Sequence, residues 1–126
     1  MSQEENFIHK ELTYKVIGCA MKVHRELGYG FLEKVYENSL LVLLEKEGIK
    51  ARQQYPISVY FENKVVGEYF ADILVEDKVL IELKAIERTA NTHYAQLLNY
   101  LKATKIRLGL LINFAPRKLE YERIIK

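Results

Sequence analysis

Three charged residues interrupt two neighbouring apolar segments of the chain. Asp72 lies within residues 70–75, and Glu82 and Lys84 lie within residues 79–85. Because side chains alternate along a β-strand, Glu82 and Lys84 would share one face of theirs. A carboxylate among apolar residues needs a partner, since removing an unpaired charge from water is costly. These three positions are therefore the first candidates for chemistry.

The spacing of Asp72 and Glu82 predicts that their side chains meet. If residues 76–78 form a turn, antiparallel pairing places position 72 opposite position 82. Cross-strand neighbours have Cβ atoms roughly 5 Å apart, and like charges there destabilise a sheet. A divalent cation between the carboxylates would reverse that sign, and such oxygen ligands suit Mg²⁺ or Mn²⁺. The alternative is a solvated strand face on which Lys84 pairs with one of the two acids.

Two further carboxylates continue the buried stripe of a predicted helix. Glu33 and Glu37 precede Leu40 and Leu44 at a spacing that places all four on one helical face. Acidic residues are also favoured in the first turn of a helix by its dipole, which accounts for Glu33 better than for Glu37. Both a role in a site and a role in starting the helix stay open for this pair.

Gln96 and Tyr100 are four residues apart and lie together beside the apolar face of another predicted helix. A glutamine offers donors and an acceptor to a phosphate or a base, and a tyrosine can stack on a base. They are candidate contacts to a nucleotide, with surface or packing roles as the alternative.

The elements that carry these residues alternate between helical and strand periodicity. Helices are expected at residues 12–27, 31–47 and 92–103, and strands at 54–61, 65–75, 79–85 and 107–113, while the form of residues 116–126 is left open. The order of elements, ααβββαβ, predicts one α/β domain over residues 1–126, with helices packed on a mixed sheet.

The composition excludes several classes of protein. A chain of 126 residues that is 49% hydrophobic and 29% charged is typical of one ordinary globular domain. The single Cys19 excludes an internal disulfide framework or a multi-cysteine zinc site, and it favours a reducing compartment. Residues 1–11 lack the pattern of a secretory signal, and no apolar run is long enough to span a membrane. We therefore expect a cytoplasmic protein without a membrane partner.

The charges are unevenly distributed along the chain. Residues 1–83 contain 14 acidic and 10 basic side chains, whereas residues 84–126 contain three acidic and nine basic ones. A basic C-terminal third favours a polyanionic partner, with an ordinary solvated surface as the alternative.

Taken in order, a helix acid, Asp72, the triplet Glu82-Leu83-Lys84 and the Gln96-x-x-x-Tyr100 pair resemble the PD-(D/E)XK nuclease superfamily. Four segments also resemble its bacterial GxxExxY branch: Gly30–Tyr36, Glu82–Ala85, Ala95–Leu101 and Gly109–Phe114. The resemblance covers residues 10–126. It implies a restriction-endonuclease-like αβββαβ core, a mixed sheet flanked by helices, with an extra N-terminal helix.

The resemblance also implies a role for each candidate residue. Asp72 and Glu82 would hold a catalytic metal, with the Leu83 carbonyl as a further candidate ligand. Lys84 would orient or help to deprotonate the attacking water. Gln96 and Tyr100 would assist in placing the substrate.

The helix acid has two candidates. Counted back from Gly48, Glu37 matches the acid that archaeal Holliday-junction resolvases carry on a helix, whereas the GxxExxY branch is named for Glu33. We expect Glu37 at the metal and Glu33 as its support. Ala71 precedes Asp72 where the superfamily's name has Pro, a change that does not touch the ligands.

The implied function is a Mg²⁺- or Mn²⁺-dependent nuclease that acts on nucleic acid, with DNA expected over RNA. The superfamily also includes proteins that bind without cutting, so a non-cleaving nucleic-acid-binding or protein-interaction module is the alternative. A purely structural domain with an ordinary salt-bridged strand face is a third interpretation. Because the chain is short, we expect a homodimer or a protein partner to supply specificity.

Overall fold

The computed structural model describes residues 8–126, and these form three helices and one five-stranded sheet. The elements are α1 Lys10–Leu27, α2 Glu33–Lys46, β1 Ala51–Phe61, β2 Lys64–Val75, β3 Val79–Lys84, α3 Asn91–Thr104, β4 Leu108–Phe114 and β5 Leu119–Ile125. Within this described part, no helix combines the length and apolarity that crossing a membrane requires. Most of the N-terminal segment that we inspected for a secretory signal lies outside the described residues.

The sheet has the strand order β1-β2-β3-β4-β5. The first three strands form an antiparallel meander, β3 and β4 are parallel, and β4 and β5 are antiparallel. The parallel pair requires a crossover connection, which α3 provides. The predicted mixed α/β fold with an extra N-terminal helix is confirmed.

The segment whose form the sequence left open contains the edge strand β5. It pairs with β4 from Phe114↔Leu119 to Leu108↔Ile125. Only Leu119 of this strand is fully buried, so its apolar pattern is weak. The wholly buried β4 nevertheless needs partners for its backbone groups on both edges, and β5 supplies one of them.

The two N-terminal helices form a hairpin, and a tyrosine side chain holds the turn between them in place. Gly28 and Gly30 adopt φ values of +73° and +119°, which side-chain-bearing residues rarely adopt. The Tyr36 hydroxyl donates to the Gly28 carbonyl (2.5 Å) and accepts from the Phe31 N–H (3.3 Å). Its ring stacks on Phe114 of β4 at a centroid distance of 4.4 Å. The turn between the helices is therefore fixed to the carboxyl end of β4.

Helices cover both faces of the sheet. The α1–α2 hairpin packs on one face, where Leu110 and Ile112 of β4 join its core, and α3 packs on the other, where Leu111 meets Leu97. A Cβ atom at Gly109 would lie 3.0 Å from the Leu97 side chain, so a glycine here lets α3 approach the sheet closely. The strands that carry the candidate residues are thus enclosed between two helical layers.

Candidate active site

The carboxylates of Asp72 and Glu82 lie where strands β2 and β3 separate. The two strands pair as Val75↔Val79, Leu74↔Leu80 and Ile73↔Ile81. Position 72 opposite position 82 is the next step of that register. The predicted meeting of the two acids is confirmed, and it occurs one step beyond the last pair of the ladder.

Each of these carboxylates binds a backbone N–H of the other strand. The Asp72 N–H donates to Glu82 Oε1 at 3.1 Å, and the Leu83 N–H donates to Asp72 Oδ2 at 2.7 Å. These bonds satisfy backbone donors that the interrupted ladder would otherwise leave without strand partners. These two hydrogen bonds therefore hold the side chains of Asp72 and Glu82 close together where β2 and β3 separate.

The electrostatics of the pair favour the uncharged forms. Glu82 is only 6% exposed, and burial together with the charge of Asp72 raises its pKa to about 8. Burial also raises the pKa of the half-buried Asp72, and the charge of Glu37 adds to that effect. Nearby positive charge is what stabilises ionised carboxylates in such a place. A cation bound between Asp72 and Glu82 would therefore favour their ionised forms.

Glu37 reaches the same region from α2. Its side chain is buried, and its carboxylate accepts from Lys34 Nζ at 3.0 Å and from the side-chain amides of Gln53 and Gln54 at 2.5 and 3.1 Å. The Gln54 amide also lies 3.5 Å from Asp72 Oδ1. Gln54 thus links the helix acid to the carboxylate pair.

Glu33, in contrast, is exposed at the start of α2. Its charge still contributes to the raised pKa values of Asp72 and Glu82, so it lies within electrostatic reach of them. The predicted buried stripe therefore holds for Glu37 and fails for Glu33, because the first turn of the helix emerges into solvent.

Gln54 was not identified from the sequence. The pairs Gln53↔Ile73 and Tyr55↔Ala71 place it opposite Asp72, and its φ of +54° lies in the left-handed region. A residue with a side chain pays about 1 kcal/mol or more for that conformation. The distortion lets two consecutive side chains, those of Gln53 and Gln54, reach Glu37. The signal in the sequence was the amide doublet, but only the β1–β2 register assigns it to the site.

Lys84 ends β3 beside the buried Asn113 of β4. Within residues 8–126, Lys84 makes no ion pair with Asp72 or Glu82, so the alternative of a simple salt-bridged face is not observed. The Asn113 side chain accepts from the Ile86 N–H and donates to the Ile86 carbonyl, both at 3.0 Å. Asn113, which we did not predict, therefore fixes the chain just after Lys84.

Helix α3 brings Tyr100 beside the carboxylates and leaves Gln96 exposed one turn earlier. Burial, followed by the charge of Glu82, raises the pKa of Tyr100 to about 12, so its hydroxyl keeps its proton. Both residues line a cleft of about 770 Å³ between α3 and the β1–β2 hairpin. The structure therefore gathers Glu37, Asp72, Glu82 and Tyr100 in one region, with Gln96 at its margin.

The donor chemistry fits a hard divalent cation, although the residues do not form a complete cage. Across residues 8–126, no group of three His, Cys, Asp or Glu side chains is arranged to hold a metal ion. Asp72 and Glu82 nevertheless supply two adjacent carboxylates whose repulsion a cation would relieve. Oxygen ligands of this kind suit Mg²⁺ or Mn²⁺, which commonly retain waters as further ligands.

The sequence and the fold are both similar to known proteins. A profile described as the PD-(D/E)XK nuclease superfamily matches residues 10–124. The crystal structure of SSO0001 is similar with a TM-score of 0.59 and 18% identity, over 74% of this chain. This chain spans about half of that protein (49%), and at such identity the likeness concerns the fold alone. No curated protein matches significantly.

Proposed function

Because the chain belongs to the PD-(D/E)XK nuclease superfamily, we propose that it hydrolyses phosphodiester bonds in nucleic acid with the help of a divalent cation. The observation that carries this proposal is the adjacent pair of the half-buried Asp72 and the buried Glu82, each of which binds a backbone N–H of the other's strand. Like charges at such a position destabilise a sheet unless a cation offsets them. A site that keeps this arrangement is suited to binding one.

In this proposal Asp72 and Glu82 are the core ligands of Mg²⁺ or Mn²⁺, and the Leu83 carbonyl is a further candidate ligand. A bound cation would activate a water molecule and stabilise the charge that develops at phosphorus. Glu37 is the proposed third acidic ligand, and the Gln54 amide, which contacts both Glu37 and Asp72, connects it to the pair. Glu33 adds negative charge at the margin of the site.

Lys84 is the proposed catalytic cation of the chain. It follows Glu82 by two residues on β3, and it makes no ion pair with Asp72 or Glu82 in the described part of the chain. Its charge acts on Glu82, whose pKa it lowers, and in this proposal its ammonium group contacts a phosphate oxygen or the attacking water. A positive charge at this position would stabilise the negative charge that develops in the transition state.

We propose DNA as the substrate, with Gln96 and Tyr100 placing the strand. Tyr100 keeps its hydroxyl proton and can donate it in a hydrogen bond to a phosphate oxygen. The excess of basic residues over positions 84–126 supports a polyanionic partner. We also propose one domain over residues 1–126 and a cytoplasmic location.

The contacts around α2 support placement in the GxxExxY branch. Of the motif residues, Gly30 provides a turn with φ of +119° and Tyr36 holds that turn closed. Glu33 is exposed and near the carboxylate pair, so it is the motif residue that the fold itself does not require. This is what we expect of a motif in which some residues form the turn and one acid serves the site.

One observation favours a non-cleaving binding module as the second candidate. The Glu37 carboxylate is already bound by Lys34, Gln53 and Gln54, rather than being directed at Asp72 and Glu82. If these amides stay in place, the site has two acidic ligands instead of three. Specificity would then come from a second copy of the chain or from a protein partner.

The test is a cleavage assay with purified wild type, Lys84→Ala and the control Lys15→Ala, which removes an exposed lysine of α1. Each protein is mixed with Mn²⁺ or Mg²⁺ and with linear, circular, branched and single-stranded DNA and RNA. We expect wild type and the control to cut and the Lys84 variant to be inactive, and chelator should abolish all cleavage. Binding of nucleic acid without cleavage of any substrate would favour the second candidate.

A further inference from the structure

The cleft between α3 and the outer part of the β1–β2 hairpin has a lining unlike that of a phosphate-binding groove. It has a volume of about 770 Å³, and Tyr100 is one of the residues that line it. The lining residues that matter here are Tyr60, Tyr69, Gln96, Asn99, Tyr100 and Lys102. Three are aromatic and two carry side-chain amides, and Lys102 is the single cation among the described residues that line the cleft.

The tyrosines present large ring surfaces to the cleft. The Tyr69 and Tyr100 rings lie 5.7 Å apart between centroids at an angle of 44°. Tyr60 and Tyr69 are 65% and 47% exposed, which is high for side chains of this size. A Cβ atom at Gly67 would lie 3.3 Å from the Tyr69 ring, so the glycine leaves room for that ring. Flat, exposed rings of this kind are platforms on which nucleobases stack.

The amides of α3 offer the complementary polar contacts. Gln96 and Asn99 are both exposed and three residues apart, so they project from the same side of the helix. Each amide carries donors and an acceptor, which matches the edge of a nucleobase. A groove that tracks several phosphates would instead be lined by a series of lysines and arginines. The lining of this cleft therefore suits bases more than backbone.

The cleft and the carboxylate pair share one residue. Tyr100 lines the cleft, and its hydroxyl lies within electrostatic reach of both Glu82 and Asp72. A strand with a phosphate at the carboxylate pair would therefore place its neighbouring bases in the cleft. In a continuous duplex those bases are stacked and paired, and their faces are not accessible to a tyrosine.

We propose that the cleft binds unpaired nucleobases of a single-stranded segment next to the phosphate that is cut, by stacking on Tyr60 and Tyr69 and by hydrogen bonds to Gln96 and Asn99. This inference rests on the proposed nuclease function for the position of the phosphate. It deepens that function by naming the substrate class as nucleic acid with a single-stranded segment.

The test measures binding in the presence of chelator, so that no cleavage occurs. The probes are a short labelled single strand, the same strand annealed as a blunt duplex, and a strand of equal length without bases, all followed by fluorescence anisotropy. We expect wild type to bind the single strand more tightly than either of the other two. Tyr69→Ala and Tyr60→Ala should each weaken single-strand binding about 10-fold, the loss expected for one stacked base.

The matched control is Tyr14→Ala, which removes a tyrosine that is 79% exposed on α1, outside the cleft. Its affinity for the single strand should equal that of wild type. Circular dichroism spectra of all variants check that the fold is retained, and Tyr60 is exposed enough for its removal to be tolerated.

Equal affinity for the strand with bases and the strand without them would overturn the proposal, and so would unchanged binding by folded Tyr60 and Tyr69 variants. Sedimentation gives a further opposing outcome. If the variants dissociate a dimer but bind the single strand as wild type does, the tyrosines form a contact between copies instead. Failure to cleave with Mn²⁺ would contradict the proposed nuclease function. The binding assay would still show whether the cleft binds unpaired bases, because it is done without metal.

Discussion

Strand β3 has two edges, and they are built differently. Along β4 the pairing is unbroken for the whole strand, from Val79↔Leu108 to Lys84↔Asn113. Along β2 it stops after Ile73↔Ile81, and the carboxylates of Asp72 and Glu82 then take the backbone N–H groups of the opposite strands. One edge is satisfied by backbone alone, whereas the other depends on two acidic side chains.

The two edges of β3 differ in the side chains that they can accommodate. On the β4 edge, buried leucine and isoleucine side chains fill both faces of the sheet. On the β2 edge, the separating strands create room for charged groups that a continuous ladder would exclude. We therefore expect substitutions on the β4 edge to change stability and substitutions on the β2 edge to change activity.

The largest effect is expected from Asp72→Asn on cleavage. The amide keeps the size of the side chain and an oxygen that can accept from the Leu83 N–H, but it removes the charge that would hold a cation. Activity should fall about 10³-fold or more, which corresponds to about 4 kcal/mol of transition-state stabilisation. A folded variant that cuts at the wild-type rate would contradict the assignment of Asp72.

On the opposite edge, Leu110→Ala tests the claim that β4 carries stability. Leu110 is fully buried and pairs with Ile81 of β3. Truncation should lower the free energy of unfolding by about 3 kcal/mol, because a large buried side chain leaves a cavity. Denaturant unfolding measures this, and a loss of less than about 1 kcal/mol would show that the β4 edge is not the stabilising one.

A pair of substitutions at Gln54 separates its backbone from its side chain. Gln54→Ala and Gln54→Gly both remove the amide between Glu37 and Asp72, so both should slow cleavage by a similar factor. Only glycine suits the φ of +54°, so the Gly variant should be about 1 kcal/mol more stable than the Ala variant. Wild-type activity in both variants would show that the bridge has no part in the site.

The smallest expected effect is on the stability of Asp72→Asn in chelator. Without a cation, wild type keeps the half-buried Asp72 next to the buried Glu82, and the charge of Asp72 raises the cost of ionising Glu82. Removal of the Asp72 charge should leave thermal stability unchanged or raise it by up to about 1 kcal/mol. A marked decrease in thermal stability would mean that the Asp72 charge stabilises the metal-free protein. That result would contradict the claim that the β2 edge of β3 serves activity rather than stability.

The sequence was sufficient where the geometry is local. A three-residue turn at 76–78 fixes which residues of β2 and β3 are opposite, so the meeting of Asp72 and Glu82 followed from counting alone. Helical periodicity likewise placed Glu37 on the buried line of Leu40 and Leu44, but it also placed there Glu33, which is exposed.

The rest depends on contacts between distant parts of the chain. The role of Gln54 follows from the register of β1 with β2 and from a left-handed backbone angle, neither of which local patterns reveal. The form of the segment that contains the edge strand β5 was left open because Leu119 is the one buried side chain of that strand. The cleft is formed by α3 and the β1–β2 hairpin, which are separated in the sequence by β3, so its lining could not be assembled before the fold was known.

The central claim is that Asp72 and Glu82 together hold a divalent cation. Calorimetric titration of Mn²⁺ into wild type, Asp72→Asn and the control Asp77→Asn tests it most directly, since Asp77 is an exposed acid in the turn between the same two strands. We expect wild type and the control to bind Mn²⁺ with equal affinity and the Asp72 variant to lose at least about 10-fold. Equal affinity in all three proteins would contradict the claim.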